Sequence, residues 1–293
     1  MKNTLLKLAS LLVALVLALS FAAALAEPPV LRIGSKDFTE SLVVAEIYAL
    51  ALEDAGYKVE RKFGIAGSII HAAITNNEID LYPEYTGTGL LAWLEMDLIT
   101  EPLEVYETVK REYADRFQIT WLDFSTANDG QGLVIRTQVA EKYGIATISD
   151  LQKHATELRF CTQGEFDERP DGLPGLIAKY GPFDWKESGF YNNALKYSVL
   201  ANDLADVAPA YTTEGALVET DKFTLLEDDL YVWPPYNLVP VVRNDVLDDG
   251  IAAALNKVSQ SLDTATLTLL NAQVDLDKLE VDEVAKAFFD SIK

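Results

Sequence analysis

The segment at residues 80–88 reads Asp-Leu-Tyr-Pro-Glu-Tyr-Thr-Gly-Thr and concentrates two tyrosines, two threonines and two carboxylates around a proline and a glycine. It follows an apolar-patterned stretch, and proline and glycine are typical of turns. These residues offer aromatic faces and hydroxyl groups, but no nucleophile paired with a base and no set of metal ligands. The segment is therefore interpreted as a loop that holds a small molecule.

Sequence motifs of enzymes are absent from the chain. It has no G-x-S-x-G elbow, no H-E-x-x-H pair, no Walker loop and no cysteine next to a base. Its 46 acidic residues are too many for the sequence to single out a general acid pair. We predict a protein without catalytic residues and without a metal or organic cofactor; an enzyme on a two-lobed fold is the alternative.

Three tyrosines suit the recognition of a cation. Tyr85 and Tyr211 stand at predicted strand ends, and Tyr236 closes the rigid segment Tyr-Val-Trp-Pro-Pro-Tyr at 231–236. Tyrosine faces attract cations that cannot donate hydrogen bonds. Arg169 lies in a polar loop, where a guanidinium can clamp a carboxylate. If these residues meet, the pocket suits a zwitterion that carries a quaternary ammonium group.

The elements that must position these residues follow a regular alternation in the first part of the chain. The pattern predicts strands over 30–33, 57–63 and 79–82, with helices over 40–55 and 68–76 between them and Ser68 as a cap. This βαβαβ order predicts a parallel sheet, and ligands of such sheets lie beyond the carboxyl ends of the strands. The loops at 35–39 and 82–88 both fall at such ends.

The second part of the chain repeats this organisation without a sequence repeat. Residues 202–211 resemble residues 78–85 in having a polar turn, an aspartate with an apolar run, and a tyrosine at the end. Further strands are predicted at 120–124, 132–136, 158–162 and 239–243, and helices at 103–117, 148–155, 251–261, 264–275 and 281–292. We predict two α/β lobes: lobe I from 27–130 and 240–293, and lobe II from 131–239.

Length, charge and the first residues limit the cellular setting. The chain has 293 residues and a formal net charge of −22, which disfavours nucleic acid and anionic lipid as partners. Residues 1–26 combine a lysine-bearing start, an apolar run and a small-x-small ending, which indicates a cleaved export signal; an uncleaved anchor is the alternative. With no cysteine near the cut for lipid attachment, we predict a periplasmic or extracellular protein.

The single cysteine, Cys161, excludes an intramolecular disulfide. It lies in the apolar run at 158–162 and is interpreted as a buried strand thiol. The two histidines, His71 and His154, are far apart in sequence and lack metal-ligand spacing. No metal site is predicted.

Four segments together resemble a known family. They are Gly-Ser-Lys-Asp-Phe-Thr-Glu at 34–40, the stretch at 78–88, Arg169 with the Asp-Gly pair at 171–172, and Pro-Pro-Tyr-Asn at 234–237. In this order they resemble the glycine betaine/choline-binding proteins, the substrate-binding subunits of osmoprotectant ABC importers. The resemblance implies a type II periplasmic-binding-protein fold with two lobes joined by crossover strands around a ligand cleft. It also implies a permease and an ATPase as partners, and we predict that the protein is a monomer.

The resemblance assigns roles to particular residues. The family's aromatic cage for a trimethylammonium group falls on Tyr85, Tyr211 and Tyr236. The family's positions for a ligand carboxylate fall on Lys36, Thr88 and Arg169. A polar position beside the cage falls on Asp129.

One departure bears on the ligand. Where the family commonly reads Asn-Asn-Thr-Tyr-Ala-Leu, this chain reads Asn-Asp-Gly-Gln-Gly-Leu at 128–133, so that Gln131 replaces a cage tyrosine. Losing one aromatic wall removes about 0.5–2 kcal/mol of cation attraction, while Gln131 can hydrogen-bond a ligand unlike glycine betaine. The alternatives are a receptor of this fold for an amino acid or an aromatic betaine, and a ligand sensor that docks to a membrane receptor.

Overall fold

The computed structural model describes residues 30–162, 164–168, 171–192 and 195–293. The predicted export signal at 1–26 and the candidate ligand residue Arg169 lie outside these ranges. The described strands form two five-stranded sheets. In chain order they are β1 (Leu31–Lys36), β2 (Val59–Ile65), β3 (Leu81–Tyr85), β4 (Ile119–Trp121), β5 (Gln131–Arg136), β6 (Arg159–Thr162), β7 (Glu187–Phe190), β8 (Val207–Tyr211), β9 (Phe223–Leu225) and β10 (Leu238–Arg243).

The α-helices cover both lobes. In chain order they are α1 (Thr39–Asp54), α2 (Ile70–Thr75), α3 (Pro102–Phe117), α4 (Thr137–Tyr143), α5 (Ile148–His154), α6 (Gly164–Glu168), α7 (Leu173–Tyr180), α8 (Lys196–Ala201), α9 (Asp249–Gln260), α10 (Thr264–Asp275) and α11 (Val281–Ile292). Shorter helical segments are the turn Thr86–Thr88, the π-helix Gly89–Trp93 and the 3₁₀ segments Ala155–Glu157 and Gly215–Val218.

The two sheets have the same topology. Sheet 1 has the order β2-β1-β3-β10-β4 and sheet 2 the order β7-β6-β8-β5-β9. In sheet 1, β1 is parallel to β2 and β3, while β10 is antiparallel to β3 and β4. In sheet 2, β6 is parallel to β7 and β8, while β5 is antiparallel to β8 and β9. The predicted parallel arrangement of the first three strands is confirmed.

The core of lobe I surrounds α1. Val43, Ile47 and Leu52 are almost fully buried and share one cluster with β1 and with Phe289 of α11. Aspartate side chains cap the start of some helices. At the start of α10, the Asp263 carboxylate accepts a hydrogen bond from the Thr266 amide at 2.7 Å. Such a cap satisfies a backbone N–H that has no partner within the helix. α10 and α11 have the predicted limits.

Two extended segments connect the lobes. Asn128 and Asn237 form an antiparallel bridge between them, and the Asp129 amide donates to the Tyr236 carbonyl at 3.1 Å. The strands of sheet 1 come from residues 31–121 and 238–243, and those of sheet 2 from 131–225. The lobe limits at 130/131 and 239/240 stay a prediction.

Two local predictions are wrong. Residues 82–85 are strand rather than loop, because β10 pairs along β3 as far as Leu238 opposite Tyr85. Ser68 does not cap α2, because the residue before that helix is Ile69, which makes no side-chain cap. Cys161 is a buried strand thiol as predicted, and burial raises its pKa to about 11.

Candidate functional site

A cavity of about 650 Å³ lies between the two sheets, beside the segments that connect the lobes. It brings together seven of the eight residues predicted from the sequence. They are Lys36, Tyr85, Thr88, Asp129, Gln131, Tyr211 and Tyr236. Arg169, the eighth, is not among the described residues, but Asp171 from the same loop lines the cavity. Residues that are far apart in the chain thus share one small space.

The ends of β3 and β1 hold the deepest part of the site. Tyr85 is the last residue of β3, is 3% exposed, and donates its hydroxyl to Glu40 Oε1 at 2.9 Å. Burial, followed by the Glu40 charge, raises the pKa of Tyr85 well above its usual range, so the ring remains a neutral phenol. Lys36, the last residue of β1, places its Nζ 4.9 Å from the centre of the Tyr85 ring.

Glu84 organises the groups around Tyr85. Its Oε1 accepts from Lys36 Nζ at 2.5 Å and from the Tyr85 amide at 2.8 Å. Its Oε2 accepts from the Tyr82 hydroxyl at 2.8 Å and from Trp93 Nε1 at 3.1 Å. Lys36 is therefore ion-paired within lobe I. The carboxylate-holding role that the resemblance gives Lys36 stays a prediction.

Tyr236 is positioned by the turn that follows β3. Thr86 Oγ1 donates to the Pro235 carbonyl at 2.9 Å and accepts from the Asn237 amide at 3.0 Å. A Cβ atom on Gly87 would lie 2.7 Å from the Tyr236 ring and 2.9 Å from the Pro235 carbonyl oxygen. The Thr-Gly-Thr sequence therefore allows the Tyr236 ring to rest directly on this turn.

Lobe II contributes a polar wall. Gln131 is the first residue of β5 and pairs in register with Tyr211, the last residue of β8. Tyr211 is 42% exposed. Gln131 Nε2 donates to Asp171 Oδ2 at 2.6 Å. Trp233 Nε1 donates to the Asp171 carbonyl at 2.7 Å, and Trp233 itself packs in the core of lobe II. At the position of the family's cage tyrosine, this chain therefore has an amide bonded to a carboxylate.

Glu40, which accepts the hydrogen bond from Tyr85, belongs to a second polar cluster. Glu40 is 2% exposed and its Oε2 accepts from Asn271 Nδ2 at 3.0 Å. Asp129 Oδ1 accepts from the Thr213 hydroxyl at 2.7 Å. Burial raises the pKa of both carboxyls, that of Asp129 well above its usual range, and the Glu40 charge raises the pKa of Asp129 further.

Several lining residues were not predicted from the sequence. They are Phe38, Glu40, Trp93, Asp171, Thr213, Glu214, Asn271 and Asp275. Phe38 and Glu40 lie inside the segment at 34–40 and could have been chosen there. Asn271 and Asp275 lie on α10, which the sequence suggests only as a packing helix, and nothing in their spacing marks them as site residues.

The fold and the cavity define a two-lobed solute-binding protein. Among the described residues no helix combines the length and apolar character needed to cross a membrane. A model of the family described as the substrate-binding domain of the ABC-type glycine betaine transport system, OpuAC, matches residues 29–291. The chain belongs to this family, whose members are transport substrate-binding proteins.

Individual relatives agree with this assignment. The glycine-betaine-binding protein of Pseudomonas aeruginosa strain PAO1 is 32% identical over 92% of this chain and 89% of its own length. The ergothioneine transport permease/ergothioneine binding protein EgtU of Helicobacter pylori strain G27 is 30% identical over 92% of this chain and 48% of its own length. A solved glycine betaine/carnitine/choline ABC transporter structure superposes with a TM-score of 0.83 at 26% identity, covering 89% of this chain and 98% of the other.

Proposed function

We propose that the cavity binds a small compound with a quaternary ammonium group and that the protein delivers this compound to an ABC permease. The observation that carries the proposal is the meeting of Tyr85, Tyr211 and Tyr236 at one cavity. Aromatic rings attract a cation that has no hydrogen to donate, and a desolvated site strengthens that attraction. The names of the relatives, which include glycine betaine, ergothioneine, carnitine and choline, support the same ligand class.

Transport requires that the ligand change the shape of the protein. Tyr85 and Tyr236 line the cavity from lobe I and the connecting segments, whereas Tyr211 and Gln131 line it from lobe II. A ligand that touches both sides binds the closed form better than the open form and so shifts the population toward closure. The permease then distinguishes the closed, loaded protein from the open one. We further propose that the protein is exported by residues 1–26, acts as a monomer, and works with an ATPase.

Binding is tested with the mature chain after it has been unfolded and refolded to remove any carried-over ligand. Thermal unfolding is measured with glycine betaine, choline, carnitine, proline betaine, ergothioneine and the common amino acids. A ligand that binds only the folded state raises the unfolding midpoint. A saturable rise with at least one quaternary compound supports the proposal. A rise with amino acids alone, or no rise with any compound, overturns it.

Closure is tested separately by small-angle X-ray scattering with and without the compound that raises the midpoint. The expected result is a smaller radius of gyration in the loaded protein. An unchanged radius together with tight binding contradicts the closure step while leaving the ligand class intact.

A further inference from the structure

The charges that line the cavity are strongly unbalanced. Among the described lining residues, one is basic, Lys36, and five are acidic: Glu40, Asp129, Asp171, Glu214 and Asp275. The Lys36 ammonium is paired with Glu84, which lies outside this set. Even if the Arg169 guanidinium were added, acids would outnumber bases. A ligand carboxylate therefore enters a field of like charge, whereas a cation is attracted.

Glu40, which is 2% exposed, and the half-buried Asp129 are linked through their neighbours. The Thr213 hydroxyl donates to Asp129, and Asn271 Nδ2 bonds both to Glu40 and to the Thr213 carbonyl at 2.8 Å. The two acids therefore belong to one hydrogen-bonded cluster, although 88 positions of chain lie between them. Two carboxyls in one desolvated cluster do not both ionise readily, because like charges disfavour each other.

The groups around this pair do not neutralise it. Charged and titratable groups act on the pair from four elements: Lys36 on β1, Tyr48 on α1, Tyr85 on β3 and Glu214 after β8. Glu214 forms a salt bridge with Lys196, just as Lys36 does with Glu84. Asp275, on α10, is hydrogen-bonded to Thr39 at 2.7 Å. The nearby positive charges thus have their own acidic partners.

The side chain of Asn271 holds this cluster together. Asn271 is 4% exposed, and its Oδ1 accepts no hydrogen bond from any described residue. Its Nδ2 is used on Glu40 and on the Thr213 carbonyl, which fixes the orientation of the amide. The Asn271 amide therefore ties Glu40 to the Thr213 backbone, next to the hydroxyl that donates to Asp129.

We propose that the Glu40–Asp129 pair makes the site selective for a quaternary ammonium ligand with net positive charge, such as a trimethylated amino alcohol, over its carboxylate counterpart. In the bound state the cation replaces a proton held by the pair. One positive charge enters, one proton leaves to solvent, and the pair changes from one negative charge to two, so the charge of the closed cavity is unchanged. This inference rests on the proposed function and narrows its ligand class.

The test compares choline and glycine betaine, which share a trimethylammonium group and differ in a hydroxymethyl against a carboxylate. Isothermal titration calorimetry is run in two buffers of different protonation enthalpy, so that the number of protons released is measured together with the affinity. For the natural chain we expect choline to bind at least about tenfold more tightly and to release a proton. Comparable or tighter binding of glycine betaine, or no proton release with choline, overturns the inference.

The variant Asp129→Asn keeps the size of the side chain and removes its charge. We expect it to lose the proton release and to weaken choline by about tenfold or more, and to affect glycine betaine much less than choline. Asp115→Asn, an exposed site on α3, is the matched control for a change in total charge. Glu40→Gln is measured in parallel, and thermal unfolding shows that each variant is folded. Proton release that persists in both cavity variants contradicts the role of the pair.

The outcomes separate this inference from the proposed function. Binding of both compounds without preference contradicts the inference alone. No binding of any quaternary compound by the refolded chain contradicts the proposed function and the inference with it.

Discussion

Asp80 and Asp206 occupy equivalent positions in the two lobes. Asp80 lies just before β3 and Asp206 just before β8, and one oxygen of each accepts two bonds from a single arginine. Asp80 Oδ2 accepts from Arg32 N at 2.8 Å and Nε at 3.0 Å. Asp206 Oδ2 accepts from Arg159 N and Nε, both at 2.9 Å. The lobes thus share a polar anchor as well as a topology.

The same correspondence includes the antiparallel strands. Arg243, at the end of β10, donates to Asp80 at 2.9 Å, and Arg136, at the end of β5, donates to Asp206 at 3.3 Å. Asp80 therefore joins β1 to β10, and Asp206 joins β6 to β5. Both carboxylates are largely buried, so their charges are poorly solvated without the arginines.

Replacing Asp80 with asparagine leaves two arginines without their shared partner. We expect the free energy of unfolding to fall by about 3 kcal/mol, because breaking a buried ion pair leaves an uncompensated charge. Asp206→Asn is the lobe II counterpart, and we expect a similar loss. Chemical denaturation measures both, with Asp115→Asn as the control. A midpoint equal to that of the control contradicts a stabilising role.

Gly87→Ala tests the contact between the turn and Tyr236. The new methyl group lies within 3 Å of the ring and of a backbone carbonyl, so the ring must move. We expect a loss of about 1–3 kcal/mol in stability from overpacking and at least about tenfold weaker binding of a quaternary ligand. Unfolding and calorimetry measure the two effects. Val218→Ala, at an exposed residue of the 3₁₀ segment Gly215–Val218, is the control. Undiminished ligand affinity would show that Tyr236 needs no support from this turn.

Arg169→Ala tests the carboxylate position implied by the resemblance. Because a guanidinium binds a carboxylate through charge-assisted bonds, we expect glycine betaine to bind about tenfold or more weakly. Choline has no carboxylate and is expected to change much less. Calorimetry with both ligands measures the difference, and Arg111→Ala, whose side chain is 60% exposed, is the control. Equal losses for the two ligands contradict this role.

The raised pKa values of Glu40 and Asp129 make the stability of the ligand-free protein depend on pH. Because their folded pKa values exceed the unfolded ones, the folded state binds more protons, and this contribution to stability is lost as pH rises through the folded values. We expect the stability of Asp129→Asn relative to the natural chain to increase as pH rises from about 4, the usual pKa of an aspartate, through neutral pH. Denaturation across that range measures the gain. A constant difference between the two proteins excludes the titration.

Asp206 gives the opposite dependence. Burial alone would raise the pKa of Asp206, but hydrogen bonds and charge from Arg159, with the charge of Arg136, outweigh it, and the pKa is lowered. The stability that Asp206 contributes is therefore present at neutral pH and lost as pH falls through its folded value. The contribution of Asp206 to stability is thus lost on acidification, whereas that of Glu40 and Asp129 is lost as pH rises.

Local patterns predicted the elements and the cavity edge, but not the contacts that give the cavity its charge. The alternation of strands and helices and the limits of α10 and α11 follow from periodicity. The extension of β3 to Tyr85 depends on β10, which lies over 150 residues later. The bond between Glu40 and Asn271 spans 231 positions, and the ion pair of Lys36 with Glu84 spans 48. A periodic pattern involves only residues that are close in sequence, so it cannot show contacts between residues this far apart.

The place of β10 inside sheet 1 has a consequence for the order in which the chain can fold during its synthesis. β3 and β4 are complete once residue 121 has been made, yet the strand between them arrives only with residues 238–243. All the strands of sheet 2, by contrast, lie within the continuous segment 131–225. A growing chain can therefore complete sheet 2 while the edges of β3 and β4 are still unpaired. The last fifth of the chain, which begins with β10, completes sheet 1. The ligand cavity can therefore form only after this segment has been synthesised.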